Sequence, residues 1–214
     1  MNQSANSIVA FSGASGAVYG VRLVQVLLQA GQQVHLMISP AAKAVLQQEL
    51  SLEVDLKQFA AEQLFDVACS ELLKSVLDPI DDTSFDALIY HHYEDWNAPP
   101  ASGSFRSGGM VVCPCSATTL SGIAHAQAGN LIQRAAEVQL KERRKLILVP
   151  RETPLSTLQL DNMHRVSAAG AVVLPASPGW YHGVSSLRDL VDFIVARICD
   201  QLGVEVELIR RWGE

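Results

Sequence analysis

Short apolar segments alternate with amphipathic helical patterns along most of the chain. Residues 7–12 (SIVAFS) and 110–114 (MVVCP) are predicted to be buried strands, because both are short and mostly apolar. The segment after the first strand, residues 16–31, has apolar residues at helical spacing and ends at Gly31, a typical helix stop. Alternating strands and helices predict right-handed crossovers and a mostly parallel sheet. The sequence therefore predicts a doubly wound α/β fold.

The remaining elements continue this alternation. Further strands are predicted at 33–39, 85–91, 145–150 and 171–176, and further helices at 40–50, 116–127, 130–144, 156–170 and 185–203. The last helix is expected to begin at Ser185 or Ser186 and to end at Gly203. Residues 51–82 are more polar and less regular, and a helical excursion is expected there. Residues 92–109 are rich in Pro, Gly and Ser and predict a long loop, which in compact domains is often functional.

Length and composition limit the class of protein. A length of 214 residues fits a single α/β domain, residues 1–214. Charged residues are 18% of the chain, against roughly 25% in an average soluble domain, which suggests that other subunits cover part of the surface. The net charge of −6 disfavours nucleic-acid binding. Neither a signal peptide nor a membrane span is visible, and a cytoplasmic protein is expected.

The four cysteines are expected to be buried free thiols in a reducing compartment. The Cys-Pro-Cys stretch at 113–115 does not resemble a zinc site, because no pair of histidines follows it at ligand spacing. No metal site is therefore predicted.

Polar groups follow the predicted strands, where each strand ends. In open parallel sheets, ligands bind outside the carboxyl ends of the strands, at the point where the winding reverses. The groups at these ends are the glycine turn SGASGA (12–17), Ser39, the hydroxyl cluster Ser116, Thr118 and Thr119, the run Arg151-Glu152-Thr153, and SPGWYHG (177–183). The glycine turn could hold a phosphate at the start of the following helix or be an ordinary strand-to-helix turn. The aromatic stretch 177–183 could be a packing corner or the wall of a ligand site.

Taken together, these strand ends predict a flat ligand that carries phosphate. A mononucleotide such as FMN fits better than a dinucleotide, because the full GxGxxG pattern and its acidic ribose partner are missing.

Several cations lie on predicted helices. Arg134 and Lys141 are seven residues apart and should share one helix face, with Glu137 between them. Arg134 and Arg197 lie among apolar residues and therefore need an anionic partner, either a carboxylate or the phosphate of a substrate. Arg143 and Arg144 are expected to form a solvated helix end.

With these residues in view, nearly the whole chain resembles the UbiX family of flavin prenyltransferases. The stretches that carry the resemblance are SGASGAVYG (12–20), DWNAPPASGS (95–104), MVVCPCSATTLSGIA (110–124), RAAEVQLKERRKLILVPRETPLS (134–156), GAVVLPASPGWYHG (170–183) and DLVDFIVARICDQLG (189–203). The resemblance implies a flavodoxin-like fold that binds FMN. It also implies transfer of a dimethylallyl group to N5 and C6 of reduced FMN, without a metal. The donor would be dimethylallyl monophosphate or, in some members, the pyrophosphate.

The resemblance further implies partners and an assembly. The prenylated FMN would serve UbiD-type decarboxylases, as in ubiquinone biosynthesis. The substrate site would form between subunits of a homo-oligomer, commonly a dodecamer, with residues 185–214 contributing to it.

Site residues follow from the resemblance position by position. The implied FMN-binding residues are Gly13, Ala14, Ser15, Ser39, Ser116, Ala117, Thr118, Thr119 and Arg151. The implied substrate-phosphate residues are Arg134, Lys141, Tyr181 and Arg197. The implied catalytic residues are the carboxylates Glu49 and Glu152, Ser15 near N5, and Trp212 near the prenyl group, with Trp96 as an aromatic of a mobile loop. Two positions depart from the family pattern, Pro40 in place of a common Lys and Trp180 in place of Phe.

Two other functions remain open at this point. A flavin-dependent cysteine decarboxylase would share the fold, but the PxMNxxMW-type motif of those enzymes is absent from this sequence. A non-catalytic FMN carrier or reductase partner would need the FMN residues but not the cations and carboxylates of the substrate site.

Overall fold

The computed structural model describes residues 6–79, 82–181, 183–210 and 213, and contains one six-stranded sheet. Its strands are β1 (Asn6–Phe11), β2 (Gln33–Ile38), β3 (Leu88–His92), β4 (Gly109–Cys115), β5 (Leu146–Pro150) and β6 (Val172–Val173). They are all parallel and lie in the order β3-β2-β1-β4-β5-β6. This is the Rossmann order, in which the winding reverses between β1 and β4. The predicted doubly wound α/β fold is confirmed.

Helices cover both faces of the sheet. They are α1 (Ala17–Gln29), α2 (Pro40–Leu50), α3 (Glu71–Val76), α4 (Ala117–Ala124), α5 (Leu131–Lys141), α6 (Thr157–Ala168) and α7 (Leu187–Leu202). Helices α1, α2, α3 and α7 pack on one face, and α4, α5 and α6 pack on the other. Alternation along the central strand β1 produces the two cores, because Val9 and Phe11 face the first group while Ile8 and Ala10 face the second. All four side chains are buried.

A buried ionic network joins α1 to α7. Arg22 is fully buried, and its guanidinium donates to Asp192 of α7 at 2.7 Å and to Asp78 at 2.9 Å. Arg188 binds the same two carboxylates, Asp78 at 2.6 Å and Asp192 at 3.2 Å. A buried cation requires such partners, because an uncompensated charge inside a protein is very costly.

The structure differs from the sequence predictions at two places. Residues 51–79 form short 3₁₀ turns and the six-residue helix α3 rather than a substantial helical excursion. The last strand, predicted over 171–176, contains only Val172–Val173. The predicted helix 185–203 is confirmed as α7, with Ser186 as its N-cap and Gly203 in a left-handed conformation just beyond its end.

Two histidines form a buried pair under the long loop. His35 of β2 and His91 of β3 are stacked, with 2.8 Å between Nδ1 of His35 and Nε2 of His91. The ring of Phe105, from the loop, meets His35 edge-on. Burial and, to a lesser degree, His91 lower the pKa of His35 to about 4, and burial also lowers the pKa of His91.

This pair makes stability depend on pH. Between about pH 6.5 and 4 the unfolded chain binds a proton at residue 35 that the folded chain rejects, so the free energy of unfolding falls as the pH falls through this range. The stabilising contribution of neutral His35 is fully present above pH 6.5. It is lost as the pH falls to about 4, which lowers the free energy of unfolding by about 3 kcal/mol. Urea unfolding at pH 7 and pH 5 measures it. His35→Gln should show a smaller pH dependence than the wild type, and equal dependence in both would contradict the assignment.

Candidate active site

The loops after β1 and β4 meet at the point where the winding of the sheet reverses. Ser12, directly after β1, is buried, and its hydroxyl donates to the carbonyl oxygen of Pro114 at 3.0 Å. The same hydroxyl accepts the backbone N–H of Ser116 at 2.8 Å. The start of α4 is thereby attached to the glycine turn that leads into α1.

The glycine turn packs tightly against the start of α2. A Cβ atom on Gly13 would lie 2.4 Å from the Cβ of Ala41, a distance that real atoms do not reach. Gly16 has φ = 103°, a left-handed conformation that favours glycine. The two glycines therefore allow a turn whose backbone, including Ala14 and Ser15, runs close beside α2.

The first amides of α1 bind a carboxylate from the protein itself. Glu49, near the end of α2, accepts the N–H of Gly16 at 2.9 Å and the N–H of Ala17 at 2.9 Å. A carboxylate at this end of a helix complements both the unpaired amides and the helix dipole. Within the chain itself, the anion at the start of α1 is Glu49. The same contact brings Glu49 next to Ser15.

Arg151 reaches the glycine turn from the other side. It follows β5 directly, and its Nε donates to the carbonyl oxygen of Ser15 at 3.2 Å. The neighbouring Glu152 is exposed, and its carboxylate accepts the N–H of Thr153 at 3.1 Å. Arg151 and Glu49 therefore approach one turn from two separate elements, while Glu152 lies at the exposed end of β5.

The start of α4 presents polar groups beside this turn. The Ser116 hydroxyl accepts the N–H of Thr119 and donates to the Thr119 hydroxyl at 3.1 Å. Ala117 and Thr118 are exposed, and within the residues that the structure describes their amides make no hydrogen bond to protein. Ser39 similarly caps α2 by accepting the N–H of Ala42 at 3.1 Å. The predicted cofactor residues thus lie in four loops along one edge of the sheet.

Two of the predicted substrate cations lie on α5 and contact the long loop. Arg134 donates to the carbonyl oxygen of Ala101 at 3.2 Å and to Glu137 at 2.9 Å. Lys141 pairs with Glu142, and a Cβ atom on Gly103 would lie 2.8 Å from its ammonium group. Both cations therefore face the loop, which confirms the prediction that they share one side of the helix.

The other two predicted substrate residues lie at the opposite face of the sheet. Arg197 of α7 is half-exposed and pairs with Asp200 at 2.9 Å, so the anionic partner that was expected for it is, in the single chain, a carboxylate. Its apolar sequence neighbours point to the core, while residue 197 lies on the solvent side of the helix. Tyr181 meets the ring of Phe193 of α7 edge-on, with centroids 5.8 Å apart. The single chain thus places this pair on the face away from Arg134 and Lys141.

Of the two predicted tryptophans, one is described. Trp96 is about half-exposed in the turn after β3. Trp212 lies outside the described residues.

The overall pattern of the chain matches one family. The sequence model of the family described as Flavoprotein matches residues 1–199. A protein of Pseudomonas aeruginosa named flavin prenyltransferase UbiX is 45% identical over 206 residues, which are 96% of this chain and 93% of that protein. The chain belongs to the UbiX family of flavin prenyltransferases. The family resemblance predicted from the motifs is therefore confirmed.

Solved structures of UbiX-type proteins share the whole fold. The structure of AnUbiX in complex with FMN and dimethylallyl pyrophosphate has a TM-score of 0.80 at 34% identity, and the match covers 98% of this chain and 97% of that one. A dodecameric FMN-dependent UbiX-like decarboxylase from Escherichia coli O157:H7 has a TM-score of 0.79 at 37% identity, covering 98% of this chain and 100% of that one. The fold of the described residues is thus that of the UbiX family.

Three other features bear on what this UbiX-family chain can bind. Among the described residues, no group of three or more His, Cys, Asp or Glu side chains could hold a metal ion. No helix in that part of the chain has the length and apolar character that crossing a membrane requires. A cavity of about 1020 Å³ lies among residues 51–85 and Gln25, and none of the predicted site residues lines it.

The two cysteines beside the site are buried free thiols. Cys113 and Cys115 are buried at the end of β4, and burial raises the pKa of the Cys115 thiol to about 12. A thiol with so high a pKa is a poor nucleophile. Cys199 is buried as well, whereas Cys69 is exposed, so the expectation of buried thiols was wrong for Cys69.

Sequence reasoning missed Arg144. It was expected to be solvated, but its guanidinium donates to the carbonyl oxygens of Gly103, at 2.6 Å, and Phe105. These partners are backbone atoms some forty residues earlier in the chain, and nothing in the local sequence around Arg144 indicates them. Together with Arg134, this arginine holds the part of the loop that follows Trp96.

Arg144→Ala is expected to loosen this loop. Two hydrogen bonds from a charged donor are lost, each worth about 1.5–3 kcal/mol, so residues 95–105 should be cleaved by proteases at least about tenfold faster than in the wild type. Limited proteolysis with peptide mapping measures the effect. The matched control is Arg143→Ala, since Arg143 is the exposed neighbour. Equal cleavage rates in the two variants would show that Arg144 does not hold the loop.

Proposed function

We propose that this chain transfers a dimethylallyl group from dimethylallyl monophosphate to N5 and C6 of reduced FMN. The product, prenylated FMN, would then be used by a UbiD-type decarboxylase. The observation that carries the proposal is the convergence of Glu49 and Arg151 on the Ser15 turn, at the winding reversal of a UbiX-family sheet. This convergence places a carboxylate and a cation from separate elements where a ligand of such a sheet binds.

The residues along this edge fit a mononucleotide. Hydroxyls and amides are available from Ser15, Ser39 and the start of α4, and Arg151 supplies positive charge. A Rossmann dinucleotide site uses the first amides of α1 for the pyrophosphate, whereas here Glu49 accepts two of them. FMN is therefore a better fit than a dinucleotide. When bound in reduced form, FMN supplies the two nucleophilic atoms of the reaction.

We assign the proton transfers to the two carboxylates. Glu49, which accepts the two N–H groups that follow Ser15, would take a proton from the bound flavin, and Ser15 would help to orient the flavin. Glu152, at the exposed end of β5, would give a proton to the leaving phosphate. The bond to N5 would form as the C–O bond to phosphate breaks, so a proton donor and nearby cations favour departure. The bond to C6 would form at the expense of the prenyl double bond, whose other carbon takes up a proton while C6 loses one.

The substrate phosphate would be bound by three cations and one tyrosine hydroxyl, which come from two surfaces of the chain. Arg134 and Lys141 lie on the loop side of α5, whereas Tyr181 and Arg197 lie by α7 on the other face of the sheet. One phosphate can meet both sets if they come from different copies of the chain. The aromatic faces of Trp96 and Trp212 would stabilise the allylic cation by cation–π interaction.

This arrangement supports a homo-oligomer, and we propose the dodecamer that the Escherichia coli O157:H7 relative forms. Large apolar side chains exposed on the single chain agree with it, since Leu158 of α6 is 77% exposed and Trp180 is 71% exposed. Such groups are typical of surfaces that another subunit covers. Residues 185–214 would contribute to the shared site through Arg197 and Trp212.

Anaerobic phosphate release tests the proposal. The protein is incubated with photoreduced FMN and dimethylallyl monophosphate, and inorganic phosphate is measured against FMN consumed. One phosphate per FMN, released only when the protein and reduced FMN are both present, is the expected result. Binding of FMN with no release of phosphate from the monophosphate, and none of pyrophosphate from dimethylallyl pyrophosphate, would favour the FMN carrier. Release of CO₂ from a cysteine-terminated peptide would favour the cysteine decarboxylase.

Chelation is expected to leave this reaction unchanged. The cations proposed for the phosphate are side chains, so dialysis against EDTA should change the initial rate by less than about twofold. The rate of phosphate release before and after dialysis, with added Mg²⁺ as a control, measures this. A loss of activity that Mg²⁺ restores would contradict the assignment of the phosphate to Arg134, Lys141 and Arg197.

A further inference from the structure

The hydroxyl of Ser12 is a buried bridge between the two halves of the candidate site. We infer that Ser12 is a positioning residue, which fixes the start of α4 against the glycine turn so that both can bind one flavin. The inference rests on the proposed FMN site and adds a residue that none of the family motifs above assigned a role.

Ser12 extends the contact between β1 and β4 beyond their backbone pairing. The backbone pairing of β1 with β4 extends to Ala10, which lies opposite Val112. Beyond it, Pro114 has no N–H to donate and so cannot take part fully in a further backbone ladder. Ser12 compensates, because its N–H and its hydroxyl both donate to the carbonyl oxygen of Pro114, at 3.2 and 3.0 Å.

The hydroxyl of Ser12 also binds the residue that begins α4. Its oxygen accepts the N–H of Ser116, the residue that caps α4 and whose own hydroxyl binds Thr119. Without Ser12 Oγ this half-buried N–H would lose its acceptor, and a shielded donor without a partner favours local rearrangement. Displacement of Ser116 would move the polar groups of α4 relative to Ser15.

Ser12 is too deeply buried to contact a ligand itself. Ser12 is 1% exposed, so its side chain acts through Ser116 rather than on a ligand. It differs in this from Ser15, which is partly exposed at the turn. Changing Ser12 should therefore alter flavin affinity through the position of α4, although every proposed ligand-contacting residue keeps its identity.

The test compares Ser12→Ala with a matched control in β1, the strand that precedes Ser12. Ser7, near the amino end of β1, is 2% exposed, and its hydroxyl donates to Gln32 at 3.3 Å. Ser7→Ala thus removes an equally buried hydroxyl at the edge of the sheet opposite the site. FMN affinity is measured by fluorescence quenching, and exchange of the Ser116 amide is followed by hydrogen exchange in the FMN-free protein.

We expect FMN to bind about tenfold more weakly to Ser12→Ala, with faster exchange at Ser116, because both hydrogen bonds of the Ser12 hydroxyl, to Pro114 and from Ser116, are lost. Ser7→Ala should match the wild type in both measurements. Ser12→Thr, which keeps the hydroxyl, should restore affinity. Ser12→Cys preserves the size with a weaker acceptor and should lie between Ser and Ala. If Ser12→Ala does not fold, the same two measurements on Ser12→Cys test the inference.

The outcomes separate this inference from the proposed function. A wild-type protein that does not bind FMN would overturn the proposed function, and this inference with it. A wild-type protein that binds FMN, while Ser12→Ala or Ser12→Cys binds it equally well with unchanged Ser116 exchange, would overturn the role of Ser12 alone. An equal loss of affinity in Ser7→Ala would also overturn it, because the effect would then be one of general stability.

Discussion

Asp192→Ala is expected to lower the free energy of unfolding by about 3–5 kcal/mol, the usual cost of removing one partner from a buried ion pair. Asp192 is 4% exposed and accepts from Arg22 at 2.7 Å and from Arg188 at 3.2 Å. Its loss leaves the fully buried Arg22 with Asp78 as its remaining carboxylate. Since the network joins α1 to α7, the packing between these helices should weaken as well.

Urea unfolding followed by circular dichroism measures this change. The matched control is Asp161→Ala, which removes an aspartate from an exposed pair with Arg165, four residues along α6. Exposed helical pairs are worth about 0.3–0.5 kcal/mol, so the control should be nearly as stable as the wild type. Similar losses in both variants would contradict the importance assigned to the buried network.

Glu49→Gln is expected to reduce the rate of prenyl transfer by about a hundredfold to ten-thousandfold, the range typical of a lost general base or acid. Glutamine keeps one oxygen that can accept from Gly16 or Ala17, so the turn should survive. The loss of negative charge at the start of α1 should cost only about 0.3–1 kcal/mol of stability. The large effect should therefore fall on the maximum rate, while FMN binding changes little.

Single-turnover rates under anaerobic conditions, with FMN binding measured separately, test this prediction. Glu53→Gln is the control, because Glu53 is an exposed glutamate just after α2. Retention of more than half of the wild-type rate by Glu49→Gln would exclude Glu49 as the base. It would leave the residue only as the cap of α1.

The sequence predicts the sheet well because its signal is local. Short apolar strands, helical spacing and stops such as Gly203 are each encoded within a few residues, and the structure reproduces them. The same is true of Ser39 and Ser116, which follow strands and begin helices as expected. Residues 51–79 were less predictable, since their short turns depend on packing against the rest of the chain.

Contacts between residues far apart in the chain could not be predicted from the sequence. The family resemblance named Glu49, but only the fold shows that it caps α1, more than thirty residues earlier. The helical pattern correctly placed Arg134 and Lys141 together, yet it could not reveal the backbone partners of Arg144. Arg197 lies among apolar residues in the sequence, but its side chain is on the solvent side of α7 and pairs with Asp200. Ser12 was included in the glycine turn, but its bond to Ser116 depends on the adjacency of β1 and β4.

The mass of the flavin after reaction tests the central claim most directly. The protein is loaded with FMN, reduced without oxygen and mixed with dimethylallyl monophosphate, and the released flavin is analysed by mass spectrometry. A gain of one C5H8 unit, absent without protein and strongly reduced in Glu49→Gln, is the predicted result. An unchanged FMN mass with both the monophosphate and the pyrophosphate would contradict the proposal that this site joins a prenyl group to flavin.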